Sequence, residues 1–102
     1  MALKARSAKA KGTRLEKLVA DDLQALGLEA GKQPGSGIYE DYPSDNWAII
    51  HGKRYIFECK ARAEGHRTLD RWRGDADLLV IKRDRKEPMV YMAWSVFKEI
   101  VS

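Results

Sequence analysis

Pro43-Ser44-Asp45-Asn46-Trp47-Ala48-Ile49-Ile50-His51-Gly52-Lys53-Arg54-Tyr55-Ile56-Phe57-Glu58-Cys59-Lys60 reads as two strands joined by a tight turn. Ile49 and Ile50 end the first run, His51-Gly52 makes the turn, and Tyr55, Ile56 and Phe57 form the second run. A two-residue loop with glycine in second place is a hairpin signal, weaker here than Asn-Gly. With so short a loop Ile50 faces Lys53, and counting outward sets Asp45 opposite Glu58. Strand side chains alternate faces. Arg54, Ile56, Glu58 and Lys60 therefore share one face with Asp45, Trp47 and Ile49, while Tyr55, Phe57 and Cys59 share the other with Ala48 and Ile50.

Like charges directly across a ladder repel. A proton on one carboxyl, or a cation between the two, relieves that repulsion. Lys60 adds a positive charge on the same face. Mg²⁺ suits such a place, since it takes a few carboxylate oxygens and keeps positions open for water and phosphate. The plainer alternative is a surface hairpin carrying a cross-strand Asp/Glu/Lys charge cluster.

An Asp, then a Glu thirteen positions on, one residue and a Lys resembles the PD-(D/E)xK nuclease motif. The pattern is most similar to the archaeal and phage Holliday junction resolvase branch. Its order is a helix bearing a Glu, a Ser/Gly loop, the Asp, a short hairpin and an E-x-K strand. This chain has Glu16 within Lys11-Gly12-Thr13-Arg14-Leu15-Glu16, then Gly35-Ser36-Gly37, Asp45 and Glu58-Cys59-Lys60, a likeness running over about residues 11–83. E-x-K alone is common; the ordered set is more specific. Two departures stand out. Ser44 directly precedes Asp45 where the family name has Pro, and the stretch from Gly37 to Asp45 is long, which makes Asp41 a rival for the metal-binding Asp.

The resemblance implies an α/β fold with a restriction-endonuclease-like core, a central mixed sheet of four to five strands flanked by helices. It implies Mg²⁺, with Mn²⁺ as substitute, held by Asp45, Glu58 and the Cys59 backbone carbonyl, with Glu16 on a second metal or an outer-shell water. Lys60 would orient the attacking water or neutralise phosphate, and Ser36 would lie near the scissile phosphate. A homodimer is expected, because cutting two strands symmetrically takes two centres. The setting is the cytoplasm of a prokaryotic, archaeal or phage-infected cell.

At 102 residues the chain is expected to be one small domain, residues 13–102, preceded by a flexible basic arm, residues 1–12. A chain of this length buries only about 60–70% of its unfolded surface. No apolar run reaches the length of a membrane span, and the start has no signal-peptide core. The single cysteine makes no internal disulfide and reads as a small buried hydrophobe in a reducing compartment. Two histidines and one cysteine are a poor zinc set, so a metal here would be a hard ion on oxygens.

Net charge is +4, unevenly spread: Met1–Arg14 carries five basic residues and no acidic one, and residues 53–86 carry eleven basic against six acidic. Uneven positive charge suits a phosphate backbone, although many soluble domains of this charge bind no polyanion. Lys11, Arg14, Arg62, Arg67, Arg71 and Arg73 are the candidate DNA contacts.

Along the chain, Thr13 to about Leu26 is the first expected helix, with Thr13-x-x-Glu16 as a capping box and Gly27 as its stop. Leu15, Leu18, Val19, Leu23 and Leu26 make its buried stripe, and Glu16 flanks it. A capping role would account for Glu16 without catalysis. Asp22 lies as close to the stripe, and only the resemblance chooses Glu16 between them. Leu28 to Gln33 is a short strand followed by a Gly-Ser-Gly loop. Thr68–Arg73 is a short helix with Leu69 and Trp72 inward, and Leu78–Ile81 is a continuous apolar run typical of a buried strand. Pro88 to Trp94 is another strand, and Ser95 caps a last helix. The function expected is a metal-dependent endodeoxyribonuclease acting on junction or branched DNA. The alternatives are a same-fold nuclease for nicked or duplex DNA, or a non-catalytic DNA-binding module.

Overall fold

A computed structural model describes residues 2–32 and 46–102, with the side chains of residues 2–9 excepted. The chain is mixed α/β and divides into two compact units, Met1–Arg62 and Ala63–Ser102. Five strands and three helices are present among the described residues. The strands pair as one three-stranded and one two-stranded sheet, both antiparallel, where a single mixed sheet was expected.

In the first unit, α1 spans Ala2–Ala25. It begins well before Thr13, which therefore stands inside the helix and does not cap it. The reason is local: Ala, Lys, Leu and Arg dominate the first turns, and these favour helix strongly enough to carry through Gly12 at about 1 kcal/mol. The basic stretch expected as an arm is thus helical from Ala2 onward. The stop is where the sequence put it. Gly27 takes φ 84°, its N–H donates to the Gln24 carbonyl at 2.9 Å, and the Leu28 N–H donates to the Leu23 carbonyl at 3.3 Å. This is the double bond pattern of a Schellman cap, with Leu28 and Leu23 as its apolar pair.

Strands β1 (Ala30–Lys32), β2 (Asn46–Ile50) and β3 (Lys53–Phe57) follow. β2 is central, with β1 and β3 antiparallel on either side. The hairpin register is the one its loop length dictates: Ile50 pairs with Lys53, Ala48 with Tyr55 and Asn46 with Phe57. His51 and Gly52 both have positive φ, 52° and 78°, as a two-residue type I′ turn requires. α1 packs on β1 and β2. The core is Val19, Ala20 and Leu23 from the helix with Ala48 and Ile50 from the sheet. The helix positions are spaced as one face of a 3.6-residue period. Leu18, expected in that stripe, is 49% exposed, because Ala20 fills the inward place beside Val19. On the opposite sheet face the Arg54 guanidinium lies over the Trp47 ring at 5.0 Å.

The second unit holds α2 (Arg67–Arg73), β4 (Leu78–Ile81), β5 (Met89–Met92) and α3 (Trp94–Val101). Leu79 pairs with Tyr91 and Val80 with Val90. α2 packs on β4, and the Tyr91 hydroxyl donates to the Asp70 carboxylate at 2.5 Å, tying β5 to that helix. Only one face of the ladder is covered in this way. Val80 is 65% exposed, so the run Leu78–Ile81 is a strand but not the buried one its composition suggested. Trp72 is likewise exposed. The last helix starts at Trp94, with Ala93 in extended conformation at its N-cap and no side-chain cap from Ser95; Trp94 stacks on Phe97 at 5.2 Å.

Two outcomes follow from these elements. A Cβ at Gly52 meets nothing within 4 Å, so Gly52→Ala is a purely backbone change. It should lower stability by about 1–2 kcal/mol in urea unfolding, the usual cost of a left-handed residue with a side chain. His51→Asn should hold or raise stability. The Asp70 hydrogen bond, aided by partial desolvation and the Asp70 charge and opposed by Arg73, raises the Tyr91 hydroxyl above the ordinary tyrosine value. Its neutral form is favoured in the fold, so this contribution is present below the unfolded-state value and lost as pH rises through the folded one. The phenolate absorbance difference between wild type and Tyr91→Phe should titrate above ordinary tyrosine, and Asp70→Ala should return it.

Candidate functional site

The first unit brings α1, the start of β2 and the segment after β3 to one place, through the side chain of Asn46. This residue is fully buried. Its Nδ2 donates to the Glu16 backbone carbonyl at 2.8 Å, and its Oδ1 accepts from the Cys59 Sγ at 3.4 Å. The Cys59 thiol also reaches the Phe57 carbonyl at 3.9 Å. Asn46 thus connects the helix at Glu16 with the residue standing between Glu58 and Lys60.

Glu16 sits inside α1, on the row that continues through Val19, Ala20 and Leu23. Its carboxylate is 16% exposed and holds the Lys32 ammonium at 2.9 Å. The role expected for it as a first-turn cap of Thr13 does not arise, since the helix is long established at that point. Glu58 and Lys60 lie beyond the end of β3 and form an ion pair at 3.0 Å, with both side chains more than half exposed. The strand was expected to run through them; β3 ends at Phe57. Cys59, expected to be buried, is half-buried.

Asp45, its rival Asp41, and Ser36 lie outside the described residues. Among the described residues no three His, Cys, Asp or Glu side chains are grouped to hold a metal ion. The donors present, the Glu16 and Glu58 carboxylates, are oxygens of the kind a hard divalent ion takes. Each already faces a cation in the form of a lysine.

The expected DNA-contact residues divide between the units. Lys11 and Arg14 are exposed on α1, and Arg62 is exposed with its Nη1 donating to the Ala61 carbonyl at 3.0 Å. Arg67 and Arg71 are exposed on α2. Arg73 is half-buried and donates to the Ala76 carbonyl at 2.8 Å, so it secures the end of its own helix. In the second unit a cleft of about 600 Å³ is lined by Ala63, Glu64, Gly65, His66, Arg67 and Asp70.

Sequence reasoning missed Asn46. The signal was available: it stands on the alternation that puts Ala48 and Ile50 inward, where a polar residue is out of pattern. No helix among the described residues is long and apolar enough to cross a membrane. No family model matches the chain, and neither does any curated protein or solved structure.

Proposed function

We propose that the chain is a metal-dependent endodeoxyribonuclease that hydrolyses phosphodiester bonds in junction or branched DNA. The observation that carries this reading is the link made by Asn46, the residue after Asp45 in sequence, which ties the Glu16 backbone to Cys59 of the Glu58-Cys59-Lys60 segment. These are the positions at which the PD-(D/E)xK pattern has its acidic groups and its lysine. The proposal includes a restriction-endonuclease-like core with a central mixed sheet, and a homodimer for paired cuts.

In this reading Asp45, Glu58 and the Cys59 carbonyl hold Mg²⁺, or Mn²⁺ in its place, and Glu16 binds a second ion or orders an outer water. Bound there, the ion supplies an acidified water and charge compensation for the phosphate. Glu58 contributes a carboxylate already turned toward positive charge. Lys60 steers the water or neutralises a phosphate oxygen. Ser36 lies near the scissile phosphate. Lys11, Arg14, Arg62, Arg67 and Arg71 contribute phosphate contacts, which makes binding weaken steeply with salt; Arg73 has the smaller part its helix bond leaves it.

Incubation with four-way junction, linear duplex and single-stranded DNA, each with Mg²⁺ or EDTA, tests the reading. Symmetric Mg²⁺-dependent cuts in the junction alone support a resolvase. Indifferent cutting makes the chain a same-fold nuclease for other DNA, and binding without any product makes it a DNA-binding module. Asp45→Asn, Glu58→Gln and Lys60→Ala should each lower cleavage by about 10²-fold or more, with gel-shift affinity for DNA largely kept. Full activity in any of them removes that residue from the site. Lys32→Ala, which frees the Glu16 carboxylate, should lower the Mn²⁺ concentration needed for half-maximal cleavage.

A further inference from the structure

We propose that Asn46 is the positioning residue of this site, holding the metal-binding and phosphate-facing groups in register without touching metal or DNA itself. The inference rests on the nuclease reading and deepens it. Asn46 is the fully buried polar side chain among the described residues. An apolar residue would continue the inward pattern of Ala48 and Ile50, so the amide is there for what it joins. Both of its side-chain bonds fall at the proposed site: Nδ2 donates to the backbone carbonyl of Glu16, and Oδ1 accepts from the residue flanked by Glu58 and Lys60.

The need for such a residue comes from where β3 stops. β3 ends at Phe57, which pairs with Asn46. Beyond it the Cys59 thiol reaches back to the Asn46 oxygen, and this sets the direction in which Glu58 and Lys60 leave the sheet. Groups that orient ligands through a hydrogen bond typically change metal affinity by about 10–100-fold when removed.

The test compares wild type with Asn46→Leu, which keeps the branched shape and removes both bonds, and with Cys59→Ala and Cys59→Ser. The serine keeps a donor toward the Asn46 oxygen; the alanine does not. The readouts are Mn²⁺ binding by calorimetry without DNA, the Mn²⁺ dependence of cleavage of a four-way junction and a linear duplex, and circular dichroism for the fold. Asn46→Leu should weaken Mn²⁺ binding about 10–100-fold, with DNA affinity unchanged. Cys59→Ala should weaken it less, Cys59→Ser should restore it, and the double variant Asn46→Leu/Cys59→Ala should be no worse than Asn46→Leu alone.

A folded Asn46→Leu with wild-type Mn²⁺ dependence overturns the positioning role and leaves the nuclease reading standing. Should Asn46→Leu fail to fold, the Cys59 pair decides: alanine and serine variants that both match wild type overturn it. A wild-type chain that neither binds Mn²⁺ nor cuts DNA overturns the nuclease reading, and this inference with it.

Discussion

The Asn46 amide donates to the Glu16 carbonyl at 2.8 Å and accepts the Cys59 thiol at 3.4 Å, in a place water does not reach. Burial of Val19, Ala20, Leu23, Ala48 and Ile50 supplies attraction between helix and sheet, but that attraction is non-directional and tolerates small slides of one element over the other. A buried amide tolerates none. Left unpaired it would cost about 1–3 kcal/mol, so arrangements of α1 that move the Glu16 carbonyl away are disfavoured by that amount. The Glu16 carbonyl can accept it because a helical C=O has a second lone pair beyond its own helix bond. One side chain therefore converts a greasy contact into a fixed register between α1 and β2.

That register matters for the charges around it. Glu16 and Glu58 each face a lysine, one largely covered and the other well exposed. An exposed ion pair such as Glu58–Lys60 is worth about 0–1 kcal/mol. The Glu16–Lys32 pair is more shielded and holds its carboxylate more firmly. The two acids therefore differ in setting: the Glu58–Lys60 pair is open to solvent, and the Glu16 carboxylate is mostly covered.

The hairpin was legible because a two-residue turn leaves one register, and once Ile50 meets Lys53 every other pair is set. The Gly27 stop was legible for the same kind of reason, a backbone conformation that glycine adopts without strain. The start of α1 was not. Thr13-x-x-Glu16 has the residues of a capping box, but the Ala- and Lys-rich stretch before it is itself a good helix, and a cap signal has no force where the helix does not begin. Of the candidate site, Glu58, Cys59 and Lys60 were named by pattern and Glu16 by order. Asn46 was not legible in the same way, because the motif consists of charged groups and this residue is neutral and buried.

The apolar run Leu78-Leu79-Val80-Ile81 shows why composition overstates burial. A continuous apolar strand is buried on both faces only if two layers cover it. Here α2 lies against β4 and the Tyr91–Asp70 bond fastens β5 to that helix, which accounts for one layer. Val80 and Val90, paired on the other face, stay exposed within the described residues. A two-stranded ladder is marginal by itself, so the second unit leans on a polar bond between exposed groups where the first has a closed core. The same chain thus uses a hydrogen bond in two ways. At Asn46 it selects one arrangement among several that burial would allow, and at Tyr91 it stands in for burial that the second unit's own elements do not provide.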